Sequence, residues 1–231
     1  MSLRRLALPL VALLLAGCGG QRGHGMARLW ITRDRGAVVL FTSRVPAGLT
    51  AMQALERSAK VKTRYGGRFV QSIDGIQGSL SGERDWFYFV NGIEGDRSAA
   101  EYRLHPGDVE WWDYRSWRDA MSVPVVIGAF PEPFVHGFDG HRLRTVVTFG
   151  PGARRGAEAI ARVVHGKAVP GLGSRFTNAN VVRVDRSLPT STIQKSLAAG
   201  GPVFLTLTPR DALRLARDPK LVEFRYQGVP Q

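Results

Sequence analysis

The sequence predicts an α+β protein that is built from two different parts. In residues 27–118, short stretches with apolar side chains at alternate positions surround one helix-like segment, which is typical of a mostly antiparallel sheet with one helix. In residues 119–231, strand-like and helix-like stretches alternate, which indicates a small α/β sandwich domain. Apolar residues make up 44% of the 231 residues, so a buried core is expected in both parts.

Residues 1–18 have the pattern of an export signal peptide. Arg4 and Arg5 precede an apolar run at 6–14, which is too short for a bilayer because a spanning helix needs about 20 residues. The tetrad Leu-Ala-Gly-Cys that ends at Cys18 resembles the lipobox of bacterial lipoproteins, in which the cysteine carries acyl chains. This resemblance implies an exported protein, anchored by acylated Cys18 in lipid on the outer side of a bacterial membrane. A plain secretory signal with an incidental cysteine is the alternative.

Cys18 is also the only cysteine, so the folded part contains no thiol. Disulfides, a cysteine nucleophile and a thiolate metal site are therefore excluded. The glycine-rich residues 19–26 predict a flexible tether between the anchor and the first strand.

The chain is strongly basic. Its formal net charge is +13, which becomes 13 − 2 = +11 when Arg4 and Arg5 leave with the signal. Such a charge favours anionic lipid, wall polymer or an anionic ligand as a partner, and it is equally typical of an arginine-rich proteome. The basic residues are dispersed, since 154–155 is the only arginine doublet after the signal. We therefore expect no nucleic-acid partner.

The first part has the pattern of a small sheet with one helix. Thr50 is a favourable N-cap for the helix that follows it. A hairpin, one helix and then further strands is a layout of the β-grasp type. Five strands are predicted, at 27–32, 37–42, 68–73, 86–91 and 108–114.

The strand at 86–91 is the most informative, because its large side chains alternate between the two faces of a sheet. One of these faces has to form the core. We expect Phe87 and Phe89 to be buried, together with Val109 or Trp111 of the returning strand.

The remaining aromatic residues form the candidate site. We expect Trp86, Tyr88 and Trp112 to lie on a half-exposed face that contacts either a ligand or the second part of the chain. Asn91, in the turn after the strand, is added to the candidate ligand-binding residues. Trp117 is expected to lie on the same half-exposed face.

Three motifs of the first part occur in a fixed order. They are Tyr-Gly-Gly at 65–67 with Ile-Asp-Gly at 73–75, Trp-Phe-Tyr-Phe-Val-Asn-Gly at 86–92, and the stretch 99–111 that ends in Gly-Asp-Val-Glu-Trp. With these motifs, residues 27–117 resemble the transcobalamin-like C-terminal domain family. The resemblance implies a ligand-binding β-grasp fold that is close to the soluble-ligand-binding β-grasp domains. The family occurs in animal cobalamin carriers and in many bacterial surface proteins.

The resemblance also bears on the ligand. Cobalamin carriers enclose their ligand between this domain and a large helical barrel, and no part of this sequence matches such a barrel. A cobalamin-like ligand is therefore a candidate only if the second part of the chain supplies the other wall. If the second part does not supply this wall, the ligand is expected to differ from cobalamin. No other cofactor and no metal is expected.

The second part resembles no family that we recognise. Its proline-rich segment at 130–136 is expected to be irregular. We predict strands at 144–149, 180–185, 202–208 and 221–226, and helices at 156–165, at 190–199 and from Thr208 onward.

No motif indicates an enzyme. His136, Asp139 and His141 could ligate a metal, but the glycines between them favour a solvated turn. The glycine-rich residues 150–156 do not have the dinucleotide-binding spacing, and no Gly-x-Ser-x-Gly elbow occurs. We therefore expect no enzymatic activity, with an uncharacterised hydrolase as the remote alternative.

Two functions follow from these observations. The first is a membrane-anchored extracytoplasmic lipoprotein that binds a small ligand, such as a corrinoid or a glycan, through its β-grasp domain. The alternative is an envelope structural or interaction protein whose two domains dock partner proteins without a small ligand.

Overall fold

The computed structural model describes residues 25–172, 176, 178–196 and 200–230. In these ranges the chain forms a sheet-rich α+β fold with three sheets and three α-helices, which confirms the predicted class. The finer assignment of a β-grasp domain followed by an α/β sandwich, with a boundary after residue 118, stays a prediction. The signal peptide, Cys18 and most of the tether lie outside the described residues. None of the described helices is both long and apolar enough to cross a membrane.

The first half of the chain contains the predicted hairpin, helix and aromatic strands. The elements are β1 (Met26–Arg33), β2 (Val38–Pro46), α1 (Ala51–Ser58), β3 (Val61–Arg64), β4 (Phe69–Ile73), β5 (Ile76–Gln77), β6 (Arg84–Val90), β7 (Ile93–Glu94) and β8 (Val109–Ser116). The short strands β3, β5 and β7 were not predicted.

Local sequence explains where the first elements begin and end. The turn between β1 and β2 needs positive φ, which Asp34, Arg35 and Gly36 all adopt. Thr50 caps α1 as predicted. Its hydroxyl accepts a hydrogen bond from the Gln53 amide at 3.1 Å, and the Gln53 side chain accepts one from the Thr50 amide at 3.0 Å. This reciprocal pair is a capping box, which satisfies amides that have no partner inside the helix.

The first sheet has the strand order β2-β1-β8-β6-β7. Strands β1 and β8 are parallel, and the other neighbours are antiparallel. One face packs against α1 and the small sheet β3-β4-β5. Its core includes Leu29, Ile31, Leu55, Ile73 and Trp112.

The opposite face of the first sheet is covered by the C-terminal residues. Phe224 lies 4.6 Å from Trp30, and Tyr226 meets Trp111 edge-on at 5.5 Å, both measured between ring centroids. Phe89 belongs to the same cluster, as predicted. The end of the chain therefore completes the core of its first sheet.

The second half contains five strands and two α-helices among the described residues. The elements are β9 (Arg144–Phe149), α2 (Arg154–Val163), β10 (Lys167–Pro170), β11 (Ala179–Val184), β12 (Thr192–Lys195), β13 (Val203–Leu207) and α3 (Pro209–Arg217), with short 3₁₀ helices at Ile127–Ala129 and Pro219–Val222. The strands form a sheet with the order β10-β9-β11-β13-β12, parallel except for the edge strand β12. Helices α2 and α3 pack against each other and against this sheet.

Two predictions for the second half are wrong. The segment 190–199 contains the strand β12 in place of a helix, because its β-branched residues pair with β13. The segment 221–226 is not a strand. It leaves a 3₁₀ helix and turns at Phe224, whose φ is 61°, so that its aromatic rings reach the first sheet. Residues 197–199 lie outside the described ranges.

Candidate functional site

The aromatic side chains of β6 and β8 border an open cavity of about 700 Å³, which we call the aromatic pocket. It lies beside the part of β6 that has a neighbouring strand on one side only, since β7 pairs with Phe89 and Val90 alone. The walls are mainly apolar, with charged side chains at the rim. They include Tyr65, Phe69, Leu80, Trp86, Tyr88, Trp112, Trp117 and Met121.

Three of the four predicted ligand-binding residues meet at this pocket. The rings of Tyr88 and Trp112 stack at 5.1 Å with an interplanar angle of 26°. The Tyr88 hydroxyl donates to the carbonyl of Arg97 at 2.5 Å, and the indole N–H of Trp86 donates to the carbonyl of Ile76 at 2.9 Å. These bonds hold the aromatic walls in fixed orientations.

The predicted half-exposed face is wrong for two of these residues. Trp86 is 4% exposed and Trp112 is 3% exposed, and only Tyr88 is half-buried. The reason is that α1 and the small sheet cover this face, which local alternation cannot show. Phe87, expected in the core, is half-buried and lines the pocket from the open edge of β6.

Asn91 does not line the pocket. It is fully buried, and its amide nitrogen donates to Asp108 Oδ1 at 2.7 Å and to the carbonyl of Gly137 at 2.8 Å. Its amide oxygen accepts from the amide of Val109 at 2.8 Å. These bonds give Asn91 a structural role that joins the two halves of the chain.

The outer walls were missed by sequence reasoning. Tyr65, Leu80 and Met121 are 78%, 81% and 60% exposed, and they belong to turns and loops without a periodic pattern. The only available signal was an aromatic residue beside the Gly-Gly turn at 66–67. Large apolar side chains that are this exposed around a cavity mark a surface that gains from being covered.

The arginines at the rim of the pocket are neutralised by neighbours. Arg68 pairs with Glu101 at 2.5 Å, while Arg97 pairs with Asp96 at 2.9 Å and with Asp139 at 2.8 Å. The rim therefore offers no free arginine to a ligand.

The two acidic side chains at the rim, Glu94 and Asp85, differ in the contacts that they form. Glu94 lies 3.5 Å from Arg115 and accepts from the Ser122 hydroxyl at 2.5 Å. Asp85 accepts only from the amide of Trp86, at 2.9 Å, and forms no ion pair within the described ranges. Burial raises the pKa of Asp85 above its usual range, while the Trp86 amide and the charge of Arg64 oppose this shift.

A buried carboxylic acid lies next to the pocket wall. Glu110 is fully buried, and its Oε1 accepts from the indole N–H of Trp112 at 2.6 Å. Its Oε2 has no hydrogen-bond partner in the described part of the chain. Burial raises the pKa of Glu110 well above its usual value of 4.5, while the hydrogen bond from Trp112 opposes this shift.

The other candidate motifs do not line the aromatic pocket. His136 bonds Glu132 at 2.6 Å, and Phe138 and His141 close the predicted turn. Across the described ranges, no group of three or more histidine, cysteine, aspartate or glutamate side chains is arranged to hold a metal ion. After the glycine-rich connection, Arg154 at the start of α2 pairs with Glu158 at 2.7 Å on the helix surface.

Comparison with known proteins identifies one domain family. Residues 48–116 match the family described as Domain of unknown function (DUF4430). The matched range is less than half of the chain. It contains α1 and all strands from β3 to β8, and hence most of the aromatic pocket. It lies inside residues 27–117 and is consistent with the resemblance described for them.

Other comparisons add little. No curated protein matches the chain. Among solved structures, the crystal structure of a "putative metal binding protein" from Ruminococcus gnavus ATCC 29149 matches at 14% identity and a TM-score of 0.33. The match covers 40% of this chain and 97% of that chain. A TM-score of this size carries no argument about the site.

Proposed function

We propose that this chain is a membrane-anchored extracytoplasmic lipoprotein that binds a small ligand, such as a corrinoid or a glycan, in its aromatic pocket. The observation that carries the proposal is the pocket itself. Its volume of about 700 Å³ lies within the range of roughly 300–1,000 Å³ that is usual for small-molecule sites. Its inner wall is a fixed aromatic stack, and its outer walls are exposed apolar side chains.

The exposed walls supply a driving force for binding. Tyr65, Leu80 and Met121 leave apolar surface in water, and covering such surface is favourable by about 25 cal/mol per Å². A ligand between these residues and the stacked rings of Tyr88 and Trp112 would bury both sides of the pocket at once. The aromatic walls suit the face of a sugar ring or of a planar macrocycle, so a glycan or a corrinoid belongs to the expected class.

The membrane anchor rests on the sequence. Residues 19–25 separate Cys18 from β1, and seven extended residues reach at most about 25 Å. An acylated Cys18 would thus keep the domain close to the lipid surface, where it could collect a ligand that arrives at the membrane.

Tryptophan fluorescence tests the binding, because Trp86, Trp112 and Trp117 all line the pocket. The full chain in detergent is titrated with corrinoids and with oligosaccharides. We expect saturable quenching or a rise in melting temperature with one of these classes. The absence of both signals with every compound contradicts the proposal.

Variants of the exposed wall separate a site from the core. Leu80→Ser and Tyr65→Ala should weaken ligand binding while leaving the melting temperature nearly unchanged, because both side chains are mostly in water. Val39→Ala is the matched control, since Val39 is an exposed apolar residue of β2 that does not line the pocket. Equal effects from the control would show that the pocket is not the site.

One observation favours the alternative, a protein that docks an envelope partner. Among the described residues, none forms a strand on the outer side of the edge strand β2, which exposes four successive apolar residues, at 38–41. An exposed edge of this kind is a template for the addition of a partner strand. Leu40→Lys should abolish capture of an envelope protein by cross-linking in the native host, whereas Leu80→Ser should not. Capture that survives Leu40→Lys contradicts this alternative.

A further inference from the structure

Asp85 is the one rim group of the aromatic pocket whose charge has no partner in the described part of the chain. Arg68, Arg97 and Glu94 each form an ion pair at the rim. Asp85 accepts a single hydrogen bond, from the neighbouring amide of Trp86. In a chain with 32 basic and 19 acidic residues, an unpaired carboxylate beside aromatic rings is unexpected.

The surrounding backbone holds this carboxylate in place. Gly78 approaches it so closely that a β-carbon at that position would collide with the Asp85 carboxylate. The amide of Trp86 fixes Oδ1 from the other direction. Asp85 is half-buried, so burial removes part of its hydration without providing a counter-ion.

We propose that the aromatic pocket recognises a small organic cation, namely an ammonium group on an apolar or aromatic body. This inference rests on the proposed function and names the chemical class of the ligand. The carboxylate of Asp85 accepts a charge-assisted hydrogen bond from the ammonium group or neutralises its charge. Trp86 and Tyr88 also line the pocket. Aromatic rings next to a bound cation attract it through their quadrupoles.

The positive net charge of the chain does not oppose this reading. Long-range repulsion is screened within about 10 Å at 0.1 M salt, and the rim arginines are neutralised at contact distance. Arg64 is near enough to lower the pKa of Asp85, but it forms no ion pair with it. Among the charged side chains that line the pocket, Asp85 is therefore the one without an ion pair to a described residue.

Three probes with the same aromatic body test the charge preference. The full chain in detergent is titrated at pH 7 with 2-phenylethylammonium, with 2-phenylethanol and with phenylacetate, and the dissociation constants are measured from tryptophan fluorescence. We expect the cation to bind at least about fivefold more tightly than the neutral alcohol, and the anion to bind most weakly. The preference for the cation should shrink as salt is added.

A matched pair of variants assigns the preference to one residue. Asp85→Asn should make the cation and the alcohol bind equally, while Glu56→Gln, on the exposed surface of α1 outside the pocket, should change nothing. Melting curves of each variant show whether it is folded, and the comparison of probes in the unaltered chain does not depend on any variant.

The outcomes are distinguishable. Equal binding of the cation and the alcohol, or tightest binding of the anion, overturns the inference about charge and leaves the pocket as a ligand site. A cation preference that survives Asp85→Asn also overturns it. If none of the three probes and none of the corrinoids or glycans binds, the proposed function and this inference fall together.

Discussion

Tyr226 donates its phenolic hydrogen to Oδ2 of Asp113 at 2.9 Å, and the two residues are 113 positions apart in the chain. Asp113, on β8, is fully buried and also accepts from the Thr32 hydroxyl at 2.5 Å and from the amide of Gly36 at 3.0 Å. One carboxylate thus connects the first hairpin, the central strand and the C-terminal segment.

Removing the hydroxyl of Tyr226 should destabilise the whole fold. In Tyr226→Phe the buried Asp113 loses one donor to Oδ2, which keeps the amide of Arg35 at 3.1 Å. Loss of a hydrogen bond to a carboxylate costs about 1.5–3 kcal/mol in the free energy of unfolding. Urea denaturation measures this loss. Tyr65→Phe is the control, because Tyr65 is mostly exposed. A loss no larger than that of the control would show that the bond contributes nothing.

The contact between the hairpin turn and the C-terminal segment can be tested at a glycine. Gly36 has a φ of 79°, and a β-carbon there would collide with the carbonyl oxygen of Phe224. Gly66 has a similar φ of 66° and open space around it.

Alanine at a positive φ costs roughly 1–2 kcal/mol of unfolding free energy at either position. Gly36→Ala should lose a further ~1–3 kcal/mol of unfolding free energy from overpacking, as measured by denaturation. Equal losses in the two variants would contradict the packing of the C-terminal segment.

The sequence predicted the elements whose signal is local. Thr50 as a helix cap and the strands at 144–149 and 86–91 follow from neighbouring residues alone, and the structure contains them. The segment 190–199 was misread because its pairing with β13 is non-local. The tendency to form a strand depends on packing against the neighbouring strand, so the sequence of this segment alone gives only a weak strand signal.

The candidate site was predicted only in part, for the same reason. Alternation correctly placed Trp86, Tyr88 and Trp112 on one face, but it could not show that α1 and the small sheet would cover that face. The outer walls at Tyr65 and Leu80 come from turns, where no periodicity relates a residue to the sheet. Such walls are defined by tertiary packing, which only the structure shows.

Glu110 should make stability depend on pH. Burial raises its pKa above the usual value of 4.5, so the folded chain holds a proton that the unfolded chain releases as the pH rises. This contribution to stability is fully present below about pH 4.5 and is lost as the pH rises through the folded pKa, by up to about 1.4 kcal/mol per pH unit.

Glu110→Gln should remove that dependence. Glutamine keeps an acceptor for the indole N–H of Trp112 but cannot ionise. The unfolding free energy of the unaltered chain should therefore fall relative to the variant between pH 4 and pH 8, as measured by urea denaturation at each pH. Glu132, whose pKa burial also raises, is common to both proteins and cancels in the difference. The charge of Asp108 contributes to the raised pKa of Glu110, so this interaction is part of the measured effect. Glu56→Gln, an exposed control, should show no such trend. Parallel curves for Glu110→Gln and the unaltered chain would mean that Glu110 is ionised in the folded state.

Arg115 should couple the stability of the first sheet to the shape of the aromatic pocket. Its guanidinium is fully buried, lies 3.6 Å from the ring centroid of Phe87, and donates to the carbonyls of Ala120 and Met121 at 2.7 and 3.0 Å. It thereby positions the segment that carries one exposed wall of the pocket.

Lysine at position 115 would keep the charge of Arg115, but it has neither the planar fork nor the stacking surface of a guanidinium. Arg115→Lys should therefore lower the unfolding free energy by roughly 1–3 kcal/mol and speed hydrogen exchange at 117–121. Arg118→Lys, at an exposed position three residues further on, is the control for both measurements. If Arg115→Lys lowers stability but leaves exchange at 117–121 unchanged, the guanidinium stabilises the sheet without shaping the pocket, and the coupling is refuted.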